Sequence, residues 1–362
     1  MSQGNTTLSG RVETAIRGLT PGYFAVVMAT GIVSVGMRTN DWPVVSGILL
    51  AIAAVAYVVL VGLNVARIIR HRRAMADDFA DPARAFGFFT FVAASSVLGS
   101  RLSQEGFHLA ALGLLLVATV AWILLGYVIP WTAVLGERKV TPLSTANGTW
   151  FIWAVASQSI AVLAATLEVE LEAWRAPMGL LAVFSWSVGI FLYVAVGVFV
   201  GIRMLSFPFR PTDLTPPYWV AMGATAITVV AGARIVEMAT APMVDATRGL
   251  IAGAAVFFWA FGTWLIPPLI LAGLWRHVIH RVPLRYEATL WSIIFPLGMY
   301  GVGSQFLGAV DELPIVEAIG YAESWVALAA WLVTFVAMVV NIWRTVIRRP
   351  VTAQAPADAK GR

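Results

Sequence analysis

The stretch LWSIIFPLGMYGVGSQ, residues 290–305, lies in an apolar run with no charged side chain between Glu287 and Asp311. A helix of about 20 such residues crosses the hydrocarbon core of a bilayer. Within the run Phe295 directly precedes Pro296, and Gly298, Gly301 and Gly303 follow. Proline removes a backbone donor and kinks a helix. Inside a membrane this is tolerated where neighbouring helices or a water-filled cavity satisfy the freed carbonyl. A kinked, glycine-rich helix with one large apolar side chain is a reasonable way to build a constriction, so Phe295 with Pro296 is the candidate gate.

The rest of the composition agrees with a membrane setting. Hydrophobic types make up 59% of the 362 residues and charged types 12%, against roughly 25% charged in an ordinary soluble domain. That much apolar surface has no place in a water-soluble fold of this length, so the chain reads as an all-α integral membrane protein. The first twenty residues are polar, with Arg11 and Arg17, and contain no apolar core for a signal peptide. The absence of cysteine removes disulfides and thiolate metal sites.

Apolar runs long enough to span fall at about 21–38, 43–66, 84–100, 107–130, 148–166, 176–202, 216–235, 249–275, 289–309 and 324–344. Ten helices joined in pairs make five hairpins. The expected layout is a segment over 1–20, a ten-helix transmembrane domain over 21–345, and a polar, disordered tail over 346–362. Of the 24 Lys and Arg residues, 19 fall in the termini and in the loops between hairpins, on one side. The positive-inside rule makes that side cytoplasmic, so both termini are cytoplasmic and the span number is even. The net charge of +5 is therefore a topology signal. It does not mark a nucleic-acid surface.

The odd-numbered helices begin every 65–70 residues or so and share a pattern. An aromatic residue is followed, four positions on, by a block of mostly small ones: Phe24 and Met28–Gly31, Phe88 and Val92–Ser95, Trp150 and Ala154–Ser157, Trp219 and Gly223–Ala226, Trp291 and Phe295–Gly298. The even helices, such as 113–127 (GLLLVATVAWILLGY) and 326–340 (VALAAWLVTFVAMVV), are aliphatic and aromatic throughout. Small residues suit close helix packing. Five equivalent helices that are all small and weakly polar at one depth also fit a shared axis. The resulting expectation is an inner ring of five helices inside an outer ring of five, pseudo-five-fold around a central pore. At one position in the block stand Met28, Val92, Ala154, Gly223 and Phe295, so a single large ring would close an otherwise modest passage. The alternative is that Phe295 only packs between helices.

Neutral groups at depth are candidates for the lining: Thr30, Gly31, Ser95, Ser157, Thr225, Gly298 and Ser304. Gly-x-Arg recurs at Arg38, Arg101 and Arg234, near the outer ends of three odd helices. Facing the axis, these arginines form a vestibule that concentrates anions. Turned outward, they snorkel to headgroups, and Asp41, Glu105 and Glu237 lie within about a turn of them. No Asp, Glu or His relay of the kind proton-coupled carriers use is visible at depth. No catalytic residues, metal ligands or cofactor motifs stand out, so an enzyme is not expected. From the residues alone the reading is an anion channel or transporter. Its alternatives are a proton-coupled carrier and a membrane sensor without flux.

Ten spans in five hairpins, an opening helix PGYFAVVMATGIVS and a ninth helix of the form W-x-x-x-F-P-x-G-M resemble the tellurite-resistance/dicarboxylate transporter family, over about residues 18–345. That family includes slow-type anion channels, malate permeases and sulfite efflux pumps, so for the carrier alternative the resemblance implies a C4-dicarboxylate such as malate, or else sulfite, as substrate. The resemblance implies a homotrimer in the plasma or inner membrane. Each protomer would carry its own pore for small inorganic or organic anions, occluded by the phenylalanine that matches Phe295.

Overall fold

A computed structural model describes residues 7–134 and 141–348. Of the tail expected over 346–362, Val346 and Ile347 lie in the last helical turn; the part from 349, with Arg349, Lys360 and Arg362, and Arg138 and Lys139 of the charge count lie outside the described residues. Ten spans are present: Pro21–Thr39, Pro43–Arg70, Ala85–Ser103, His108–Thr132, Gly148–Glu168, Glu172–Ser206, Pro216–Glu237, Pro242–Ile279, Ala288–Val310 and Pro314–Ile347. They are called the first to the tenth span below.

The spans divide by burial as their composition predicts. Between 67% and 83% of each odd span's apolar stretch is buried, against 17% to 22% of each even span's. The odd spans touch in the order first, third, fifth, seventh, ninth and back to first, which closes a ring. A helix apolar on all sides belongs in an interior, and small side chains let the five backbones approach closely. The even spans pack on the outside of this ring and keep large apolar side chains exposed, among them Val58, Leu109, Phe191, Phe257 and Val333.

Each odd span opens with one tight 3-10 turn: Pro21–Phe24, Ala85–Phe88, Gly148–Trp150, Pro216–Trp219 and Ala288–Leu290. These five turns form a second closed ring at one end of the bundle. Gly148 is required there. A Cβ on it would overlap the backbone of Pro217 and Tyr218, and backbone cannot rotate away as a side chain can. Gly148→Ala is expected to destabilise beyond the about 1–3 kcal/mol of ordinary overpacking. Gly113→Ala is the control, because nothing lies within 4 Å of the added atom there. Thermal unfolding of the purified variants measures both.

The even spans run further than expected. The eighth and tenth contain 38 and 34 residues, or about 57 and 51 Å of helix at 1.5 Å per residue, well beyond a hydrocarbon core of about 30 Å. They begin at Pro242 and Pro314, so they take in Asp245, Arg248, Glu317 and Glu323. The apolar runs, starting at about 249 and 324, leave all four outside. Proline at the first helical position starts these helices early.

A short helix, Leu8–Arg17, precedes the first span. Arg11 donates from Nε to the Val346 carbonyl (2.7 Å) and from Nη2 to the Ile347 carbonyl (3.1 Å). Glu13 meets Arg70 at 3.2 Å and His71 at 2.8 Å. Both ends of the described chain thus lie on the same side of the bundle, beside the 3-10 ring.

Candidate functional site

Two cavities lie within the inner ring. The outer one is a crevice of about 30 Å³. All five odd spans line it, including Ile32 and Val35, Ser96 and Ser100, Ser159 and Thr166, Val230 and Arg234, and Met299, Val302 and Phe306. The inner one, about 360 Å³, is framed by the 3-10 ring with Thr20, Arg84, Gly87, Thr149, Ile152, Pro217 and Ser292. Each lining contains one arginine and no carboxylate.

Helical spacing relates the residues of the two linings on each inner span. Ser292 lines the inner one and Met299, Val302 and Phe306 the outer one. With Phe295 they form a stripe spaced three, four, three, four, which is a single helix face. Phe295 is 1% exposed and falls between the two groups. The fifth span repeats the spacing with Ile152 inside and Ser159, Val162 and Thr166 outside. Val155 therefore occupies the level of Phe295 there, one residue along from the expected Ala154. Met28 precedes Ile32 by one turn on the first span. Pro296 packs against the seventh span, its Cγ 2.7 Å from where a Cβ of Gly223 would stand. Because Pro296 has no N–H, the Ser292 carbonyl at the inner cavity lacks the regular α-helical amide four residues on.

The expected polar lining is placed differently. None of Thr30, Gly31, Ser95, Ser157, Thr225, Gly298 or Ser304 borders either cavity. The hydroxyls turn outward to the even spans. Trp331 Nε1 donates to Thr30 Oγ1 (2.9 Å), Trp122 Nε1 to Ser157 Oγ (2.8 Å) and Trp259 Nε1 to Ser304 Oγ (2.9 Å). Ser95 Oγ donates to the Phe91 carbonyl and accepts from Tyr57 at 2.8 Å. Thr225 donates to the Met222 carbonyl (2.6 Å), with its Oγ1 against Gly262 of the eighth span. Gly31 and Gly298 lie at contacts between inner helices, against Val97 and Ile32. In a dry bundle a hydroxyl needs a partner; an outer tryptophan supplies one to three of these hydroxyls. Ser96, Ser100, Ser159 and Thr166 are the hydroxyl residues that line the crevice.

The outer donors make a repeat that the sequence contains and that was missed. Tyr57, Trp122, Trp186, Trp259 and Trp331 occur one per even span, each bonded to the odd span that follows in the ring. Trp186 reaches the Thr228 carbonyl (3.2 Å). Their spacing of 64–73 residues matches the period of the odd helices and would have identified them.

The three arginines differ from one another. Arg234 lines the crevice, with Nη1 3.2 Å from Glu237 Oε2 and its guanidinium 4.1 Å from the Phe306 ring centroid. Arg101 is fully buried away from the cavities. It donates from Nε to Ser34 Oγ (2.9 Å) and from Nη2 to Ser46 Oγ (2.8 Å), with Nη2 2.7 Å from Glu105 Oε1. It ties the third span to the first hairpin. That hydrogen bond and its charge hold the Glu105 carboxyl below the usual carboxylate range. The contribution of the pair is therefore present above that range and lost as the pH falls through the lowered value. Arg38 is exposed at the rim. The Gly-x-Arg repeat thus puts one arginine at the outer cavity, not three.

Arg84, one of the basic residues between the first and second hairpins, borders the other cavity. Arg84 Nε lies 2.8 Å from Asp78 Oδ1, and Asp78 Oδ2 lies 2.7 Å from Nη2 of buried Arg67. The triad carries a net positive charge beside the 3-10 ring. The helix Arg72–Ala80 supplies Asp78. Among the described residues no cluster of His, Asp and Glu has the makings of a metal site.

Fold and site together define a multi-pass membrane protein with two cavities inside a ring of five helices, each lined by one arginine. The chain belongs to the voltage-dependent anion channel family, whose model matches residues 18–339. That is a family of membrane channels and transporters for anions. The chain is 68% identical to an uncharacterized membrane protein of Mycobacterium tuberculosis over 158 residues, 44% of this chain and 80% of that one. It is 23% identical to an uncharacterized transporter of Methanocaldococcus jannaschii over 89% of this chain and 92% of the relative. A second transporter of that organism is 22% identical over 92% and 97%.

Proposed function

We propose that the protein is a channel that passes small anions along the axis of the inner ring, with Phe295 as the barrier between the two cavities. The observation that carries this reading is the make-up of the two linings: each is built by all five inner spans and holds one arginine and no carboxylate. In a low-dielectric wall such a lining favours anions and repels cations. Ser100 Oγ, buried without a partner, would donate to an anion that has shed part of its water, while Ser96, Ser159 and Thr166 donate to backbone carbonyls of their own helices. The 3-10 ring faces the cytoplasm in this reading, because the basic residues collect on that side. The membrane is the plasma or inner membrane and the assembly a homotrimer, as the resemblance implies.

Flux of chloride, nitrate, sulfite and malate in turn, measured in proteoliposomes, tests the reading. Passive anion flux that follows the electrical gradient supports it. A carrier reading draws on the archaeal relatives, whose printed names call them transporters. Saturable malate or sulfite uptake that follows an imposed pH gradient would replace the channel with that carrier. No flux of any anion would leave a sensor.

Arg84 is the sharper electrostatic test. One unit charge in a water-filled mouth is worth about 1 kcal/mol at 4 Å, the bulk-water value, so Arg84→Gln should lower anion entry from the inner side about fivefold. The loss should shrink at high ionic strength as screening takes over. Unchanged entry in low salt would remove Arg84 from the pathway.

A further inference from the structure

A groove of about 550 Å³ lies outside the ring, at the end that carries the 3-10 turns. Val12 and Ile16 of the amino-terminal helix form one wall. Val59 and Leu63 of the second span and Met338 and Ile342 of the tenth form the others. Its volume falls within the about 300–1,000 Å³ of small-molecule sites. The second and tenth spans are outer helices with 22% and 17% of their apolar stretches buried, so the gap between them opens onto hydrocarbon. Water is not its natural occupant.

The rim is basic. Arg11 joins the amino-terminal helix to the last turn of the tenth span, two walls of the groove, and its Nη1 is buried without a partner. Arg17 and Arg344 lie exposed on the same two elements. An apolar slot between spans under basic side chains, at the basic end of the bundle, matches an anionic lipid in shape and in charge. Gly18, Thr20 and Ala288 line both this groove and the inner cavity. An occupant of the groove therefore touches the wall of the inner mouth.

We infer that this groove binds an anionic phospholipid, with an acyl chain between the second and tenth spans and the headgroup at Arg11. The inference does not depend on the channel reading, because binding is read without flux. The chain has no cysteine, so a single introduced thiol reports cleanly. Val59→Cys places a bimane label in the groove, and Phe191→Cys places one on the exposed face of the sixth span. Full-length protein goes into phosphatidylcholine vesicles containing one-fifth brominated phosphatidylglycerol. Quenching at position 59 should exceed that at 191 at least threefold. Brominated phosphatidylcholine should show no such preference, and Arg11→Gln should bring position 59 down to the level of 191. Equal quenching at the two positions, or a preference that survives Arg11→Gln with the protein folded by thermal unfolding, overturns the site. A label at 59 that no lipid quenches, together with a disulfide between copies at Val59→Cys, would assign the groove to a second copy of the chain and overturn it too.

Discussion

Phe295→Ala is expected to raise passive anion flux at least tenfold, a barrier lowered by about 1.4 kcal/mol. The residue is 1% exposed and stands on the stripe between Ser292 of the inner cavity and Met299 of the outer one. Removing its ring would join the two cavities. Truncating a buried phenylalanine also costs about 3–5 kcal/mol of stability, so flux has to be compared at equal amounts of folded protein. Phe295→Leu keeps more of the packing and should fall between the two. Phe335→Ala on the tenth span removes a ring stacked on Trp331, 4.8 Å between centroids, outside the inner ring, and should leave flux at the wild-type level. A Phe295→Ala protein that folds and conducts no better than wild type would return Phe295 to packing alone.

Asp78→Ala is expected to destabilise the protein by about 3–5 kcal/mol, the usual result of stripping one partner from a buried ion pair. Arg67 is 2% exposed and Asp78 5%, so the variant leaves a guanidinium in the interior with no counterion. Its remaining polar contacts are the Arg17 carbonyl at 3.2 Å, the Ala74 carbonyl at 3.4 Å and the Met75 sulfur at 3.9 Å, which do not replace the charge. The double variant Arg67→Met with Asp78→Leu should recover most of the loss, since apolar replacement of a whole buried pair is often neutral. Thermal unfolding in detergent of the wild type, Arg67→Met, Asp78→Leu and their double variant reads the coupling directly. Additive losses would mean that the two side chains act independently. The same variant frees Arg84, so where it folds, entry from the inner side should rise or hold, not fall as in Arg84→Gln.

Most of the architecture was present in the order of residues. Ten apolar runs, their pairing into hairpins and the division into inner and outer spans all follow from one contrast. Gly, Ala, Ser and Thr at mid-depth allow backbones to close together, and aliphatic runs such as 113–127 suit lipid. That contrast survives in sequence because it concerns whole helices. Ends were less legible: Pro242 and Pro314 start their helices several residues outside the apolar run, and hydropathy does not register a helix that continues into the headgroups.

Only the packed structure decided which face of each inner helix looks at the axis. An inner helix is buried on every side, so no amphipathic stripe marks a front or a back. Reading Thr30, Ser95, Ser157, Thr225 and Ser304 as lining rested on their polarity. Polarity in a dry bundle signals a need for a partner, and for three of them that partner is a tryptophan of an outer span. Arg101 followed the same logic inward, to Ser34 and Ser46. Arg84 went the other way, from a loop in the sequence to the edge of the inner cavity, because Asp78 on a neighbouring short helix holds it there. The chain by itself determined how many helices cross and which five are enclosed. The rotation of each enclosed helix, and so the chemistry of the two cavities, depends on contacts between residues far apart in sequence.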